Sequence, residues 1–359
     1  VIRALFLPLA AAIAALALPA LAWQAEWDEV LQAAKREGKV AAIIPVGREA
    51  HAALTEPFQK QYGIPVEVFA DRGLGIAPRL SAERAAGRYL WDIVITGPIT
   101  GLTALIPMGA LDPVEPALIL PEVKDPKMWR GGQIEFLDSG RRILVVTRYQ
   151  RGTLFVNPTL VKPESFRSYR DLLDPKWKRK IVIDDPRRAG PGHATFTFFY
   201  LHPELGPGFI RQLAQQEPLV LSDNAQEVDE VGRGKYPILL GTADANAEER
   251  MRQGVPIAIV DPRQLKEGSD VSPTNGTIAL INRAAHPNAA KVYLNWFLSK
   301  EGQTVFARAM GYISSRLDAP TDHALPWRIP QPGSIKTYTQ EALDVRPKLM
   351  PLLQEVFGR

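Results

Sequence analysis

The feature that most constrains this chain is the repeated alternation of short apolar runs with stretches of helical period. Trp27, Val30, Leu31 and Ala34 fall at i, i+3, i+4 and i+7, which predicts one face of a helix ending at Gly38. Residues 39–45 (KVAAIIP) follow as a buried strand, 50–62 as a helix stopped by Gly63, and 66–70 as a second strand. A helix over 78–87 and a third strand over 92–96 (DIVIT) continue the pattern. After Pro-rich connections around 102–140, strands are predicted at 142–147, 153–156, 180–184, 238–240, 257–260 and 277–281. Helices are predicted at 168–173, from 195, and at 207–216, 225–232, 245–254, 287–297 and 301–310. Alternation of this kind predicts an α/β chain with a mainly parallel sheet.

A chain of 359 residues is long for one core and suits two lobes. The expected division is 23–152 plus 275–330 for lobe 1, 153–274 for lobe 2, and a tail at 331–359 packed on the lobes. Two strand connections crossing near 147–157 and 273–281 would make a hinge, and the cleft between the lobes would hold a ligand. The first 22 residues read as an export signal: Arg3, an apolar run over 4–17, then Pro19-Ala20-Leu21-Ala22. The competing reading is a membrane anchor, which needs about 20 apolar residues. The switch to Trp23-Gln24-Ala25-Glu26 favours cleavage, and the expectation is a soluble periplasmic product.

Several function classes drop out. With no cysteine there is no disulfide framework, thiolate nucleophile or Cys-bound metal. Lys+Arg 43 against Asp+Glu 39 leaves a net charge of +4, without a basic run or an Arg/aromatic stripe, so nucleic acid is not an expected partner. No nucleophile elbow, zinc-protease or P-loop motif occurs, and the five histidines show no metal-ligand spacing. Neither catalysis, nor a cofactor, nor a metal is expected; an exported enzyme using Asp184, Asp185 and His193 as acid–base groups is the rival class.

The most informative segment is 180–195, KIVIDDPRRAGPGHAT. A strand ends, a loop with Arg187, Arg188, Gly190 and Gly192 follows, and a helix begins near His193–Thr195. Helix N-terminal N–H groups, glycines that admit a ligand to the backbone, and arginine donors together suit an anion; a solvated turn is the alternative. Similar loops contain Gly47 and Arg48, Arg72, and Gly97 with Thr100. In a parallel sheet all of them gather at the carboxyl edge.

The stretches at 27–47 (WDEVLQAAKREGKVAAIIPVG), 58–68 (FQKQYGIPVEV) and 80–97 (LSAERAAGRYLWDIVITG) resemble the N-terminal half of extracellular solute-binding proteins of ABC importers. Those at 168–186 (SYRDLLDPKWKRKIVIDDP), 224–241 (NAQEVDEVGRGKYPILLG) and 286–316 (HPNAAKVYLNWFLSKEGQTVFARAMGYISSR) resemble the second half. The group looks like the one holding ferric-iron, phosphonate and sugar-phosphate binders. The resemblance implies a type-2 periplasmic-binding fold: two α/β lobes, a two-strand hinge, and a monomer that closes on a small molecule and docks on a membrane permease. Ferric binders of this family use neighbouring tyrosines after the strand matching 238–240. Here 241–247 reads GTADANA, without tyrosine, so iron is the alternative and a small organic, anionic ligand the main expectation. Thr242, Asp244 and Asn246 offer hydroxyl, carboxylate and amide groups for it, with helix capping as the other reading of the last two. Arg316, after Ser314-Ser315, completes the candidate set.

Overall fold

The computed structural model describes residues 8–358 except 72, 74 and 189. Arg72 and the first seven residues of the expected export signal, Arg3 among them, lie outside the described residues. The strands in chain order are β1 (Val40–Ile44), β2 (Val66–Ala70), β3 (Ile93–Thr96), β4 (Leu111–Asp112), β5 (Leu144–Val145), β6 (Tyr149–Gln150) and β7 (Leu154–Val156). They continue with β8 (Ile181–Asp184), β9 (Leu219–Leu221), β10 (Ile238–Leu240), β11 (Ala258–Ile259), β12 (Val271–Ser272) and β13 (Thr277–Ile281). Among the described residues no helix is long and apolar enough to cross a membrane.

The chain separates into two compact units. Unit 1 runs to Thr147 and takes in Pro273–His323; unit 2 is Arg148–Ser272 with Ala324–Arg359. The chain therefore passes from one unit to the other three times, at 147/148, 272/273 and 323/324.

In unit 1 the sheet order is β2-β1-β3-β13-β4, with β5 also on β13. Strands β2, β1 and β3 are parallel, joined by the helices Arg48–Tyr62 and Ile76–Ala85. β13 runs antiparallel to β3, β4 and β5. The expected mainly parallel sheet is thus a mixed one. Parallel pairs come from helical crossovers, and β13 is reached from unit 2 without one. The continuous apolar runs are explained by burial on both faces, complete along β1 and β3. The helix Pro287–Leu298 carries Tyr293 and Trp296 into this core beside Phe58, with ring centroids 4.9 and 5.3 Å from it. The first helix, Pro8–Glu37, buries Trp27 and Ala34 on its expected face and is ended by Gly38 at φ +83°.

Unit 2 has the sheet β11-β7-β10-β8-β9 and the two-stranded ladder β12-β6. β10, β8 and β9 are parallel, whereas β7 is antiparallel to β10 and β11. Phe196, Phe198 and Phe199 of the helix Pro191–Leu201 pack with Tyr169 and Phe209. Leu349, Leu352, Leu353 and Phe357 of the last helix, Arg346–Phe357, are part of the same core, and the rings of Phe357 and Phe196 meet at 5.3 Å.

Candidate functional site

Each unit has its own gathering of loops at the carboxyl ends of its parallel strands. In unit 1, Gly47 precedes the helix Arg48–Tyr62 after β1, and Gly97 precedes the turn Pro98–Thr100 after β3. The loop after β2 is held by Asp71, whose Oδ1 accepts the N–H groups of Gly73 (2.7 Å) and Gly75 (3.0 Å). It crosses Thr100 so closely that a Cβ on Gly73 would stand 2.8 Å from the Thr100 hydroxyl. Gly97, Thr100 and the 71–75 loop therefore come together. The Arg48 side chain stands almost fully in solvent, beside Glu49 at 3.9 Å.

In unit 2 the loop after β8 leads into the helix Pro191–Leu201. Gly192 N–H donates to Asp184 Oδ2 at 2.6 Å, which ties the end of the strand to the first turn of the helix. A Cβ on Gly192 would fall 2.4 Å from the Asp184 carbonyl oxygen, so only glycine fits. Gly241, the residue after β10, sits at φ +80° against Gly192 and Thr195. Two adjacent parallel strands thus bring Gly190, Gly192, Thr195, Thr242 and Asp244 to one edge of unit 2, while the loops with Gly47, Gly97 and Thr100 belong to unit 1.

Around this edge lies a buried network. Asp244 opens the helix Asp244–Arg252; its Oδ1 accepts Gly152 N–H at 3.1 Å and its Oδ2 has no protein partner. Burial raises the Asp244 carboxyl to about 6, opposed by Arg151 and Arg328. Arg151, 4% exposed, reaches Asp270 and the Pro191 carbonyl, both at 3.3 Å, and keeps Nη2 without a partner. Burial works against its charge, but Asp270 and Asp244 more than offset it and hold the guanidinium protonated. Thr337 donates to Asp270 at 2.8 Å, and Arg328 joins Glu248 at 2.7 Å with its guanidinium over the Tyr149 ring. The Thr195 hydroxyl is also buried without a partner. Each such unmade bond costs about 1–3 kcal/mol, so a polar solute or water meeting these atoms recovers what the protein leaves unmade.

Other expected residues are engaged elsewhere. The Arg187 guanidinium forks onto Asp185 (2.8 Å for both bonds) and also donates to the Phe357 carbonyl at 2.6 Å. His193 Nδ1 pairs with the Pro186 carbonyl at 2.9 Å, and burial lowers its pKa, which keeps the imidazole neutral near pH 7. Asn246 lies in the first turn of its helix, where its N–H donates to the Ala243 carbonyl. Arg316 is 1% exposed, and its guanidinium makes four hydrogen bonds inside unit 1: two to Asp318 and one each to the carbonyls of Glu122 and Leu298. Arg151, Asp270 and Glu227 have no counterpart in the sequence reading. Glu227 sits in an ordinary charged helical stretch, whereas Arg151 follows a strand pair at the seam and precedes Gly152, a weak cue. Among the described residues no group of three or more His, Asp or Glu is placed to hold a metal ion.

Residues 53–330 match the family model described as bacterial extracellular solute-binding protein. An uncharacterized protein of Haemophilus influenzae is 30% identical over 139 residues; the match spans 38% of this chain and only 38% of that protein. A ferric iron-binding protein A of Mannheimia haemolytica, in an open conformation, aligns at TM-score 0.70 and 15% identity over 89% of this chain and 98% of its own. The periplasmic binding protein AfuA of Actinobacillus pleuropneumoniae, with fructose-6-phosphate bound, aligns at 0.57 and 17%, over 89% and 99%. Other proteins described as iron-bound or ferric-binding align over the same 89% of the chain.

Proposed function

The chain belongs to the bacterial extracellular solute-binding proteins, and on that premise we propose that it is the periplasmic receptor of an ABC importer. It captures a small solute at the carboxyl edges of its two units and hands it unchanged to a membrane permease. The family is one of transport receptors, not catalysts. The observation that carries the reading is the paired design: each unit ends its parallel strands in glycine-bearing loops, and unit 2 places buried, unpartnered polar atoms beside them. Closure of the units on the solute, with the solute binding the closed form better, is the mechanism this design suits.

Ferric ion is the cargo that the solved structures favour, since most of the ones named above carry that description. A second reading, a small organic anion, is favoured by the unpartnered donors Arg151 Nη2 and Thr195 Oγ1 and by the absence of tyrosine from 241–247. Native mass spectrometry of the purified protein, followed by thermal-shift titration with ferric citrate and with fructose 6-phosphate, separates them. A charge-transfer band with the first supports iron; a shift with the second alone supports the organic anion. Recovery of a bound compound chemically altered by the protein would overturn the receptor reading altogether.

A further inference from the structure

We infer that Glu227 is a positioning residue for the loop 184–192, and that it works by sharing a single proton with Asp184. The proposal rests on the receptor reading only in taking that loop to meet cargo. Glu227 is fully buried on the helix Asn224–Gly232, although the charged stretch around it in sequence looks solvated. Its carboxyl lies against that of Asp184 at the end of β8, and the two interact as a hydrogen-bonded pair. Asp184 in turn accepts the Gly192 N–H at 2.6 Å, the bond that starts the helix Pro191–Leu201. The chain of contacts is therefore Glu227, Asp184, Gly192 and the first turn of the helix.

Two carboxylates in contact inside a protein cannot both stay ionised. With one proton present, one acid donates to the other and Asp184 keeps an oxygen for Gly192. Without it, repulsion falls on the bond that fixes the loop. The remaining groups around Glu227 compensate only in part. The Asn224 amide donates to its oxygens at 3.2 and 3.0 Å, and the Thr242 hydroxyl approaches from the loop after β10. On the Asp184 side, Arg151 favours ionisation and Asp185, itself paired with Arg187, opposes it. The adjacent helix Asp244–Arg252 presents Arg250, which is committed to Asp229 at 3.1 Å, and β9 presents only Leu219, Val220 and Leu221. Burial, then the Asp184 charge, raises the Glu227 pKa to about 8, which places the release of the shared proton just above neutrality.

The test is hydrogen exchange of the segment 190–195 in the full chain from about pH 6 to about pH 9, corrected for the intrinsic pH dependence of amide exchange. Wild type is expected to lose up to about tenfold in protection for each unit of pH below about pH 8, where the folded state still holds the proton that the open state has lost, and to level off above it. Glu227→Gln, which keeps a donor toward Asp184 and has no proton to lose, should hold its protection constant across the range. Asp184→Asn should level off at a lower pH than wild type, because Glu227 is still raised by burial but no longer faces a second charge. A wild-type profile without slope, a slope that survives in Glu227→Gln, or an Asp184→Asn profile that levels off where wild type does, overturns the proposal. Titrations with ferric citrate and fructose 6-phosphate at both ends of the range then report separately: failure of both to bind counts against the cargo readings and leaves the exchange profile to judge the proton.

Discussion

Gly192 leaves no room for a methyl group, because the carbonyl of Asp184 occupies the place a Cβ would take. Gly192→Ala should therefore cost about 1–3 kcal/mol, as overpacking does, and should show as a lower urea midpoint at an unchanged slope. Arg316 is expected to matter through stability alone. Removing it orphans two carbonyls and leaves Asp318 without its fork, so Arg316→Met should lose about 3 kcal/mol, the low end for a buried pair whose other partner is partly exposed. Retention of cargo affinity per folded molecule would confirm that its guanidinium is spent inside unit 1. Glu227 gives a pH dependence with a definite sign. Its pKa is raised from 4.5 to about 8, so the folded state holds a proton the unfolded chain has lost. The stability it contributes is complete below about pH 4.5, declines as pH rises, and is gone above about pH 8. Melting temperature measured against pH should fall across that window in wild type and flatten in Glu227→Gln.

Among the elements, the strands buried on both faces were the most legible. The runs VAAII and IVIT are too apolar and too β-branched to be anything but interior strand, and β1 and β3 sit where the pattern places them. Segments whose order comes from partners distant in sequence were illegible. Residues 101–124 form a π-turn, the short strand β4 and one-turn helices, with Asn295 accepting N–H groups from Ile119 and Leu120 across more than 170 positions. Nothing local announces that bond. The site divides the same way: glycines at strand ends mark the loops, while Glu227 and Arg151 owe their roles to burial that no local pattern encodes. The helix Arg346–Phe357 carried no motif, yet it supplies Leu353 to the core of unit 2. Leu353→Ala should cost about 2–5 kcal/mol. Limited proteolysis should show cuts appearing first in 148–272; equal loss of protection in unit 1 would mean that the two cores melt as one.

At the scale of the whole molecule, each unit has its own hydrophobic core, and cargo that engages the folded chain must raise its stability by mass action. A ligand at 100 times its Kd should add about 2.7 kcal/mol, read as an upward shift of the melting temperature that grows with ligand concentration. The increment should shrink in Arg151→Met if the unpartnered Nη2 meets an anionic group, and an increment equal to wild type would remove Arg151 from the cargo site.

The triple passage of the backbone between the units has a consequence for biosynthesis. Tyr293 and Trp296 belong to the core of the first unit, and Phe357 to that of the second, so neither interior is complete until most or all of the polypeptide has left the ribosome. A nascent chain wired this way has no early domain to lock into shape, and it remains threadable through a narrow translocation pore for nearly the whole of its synthesis.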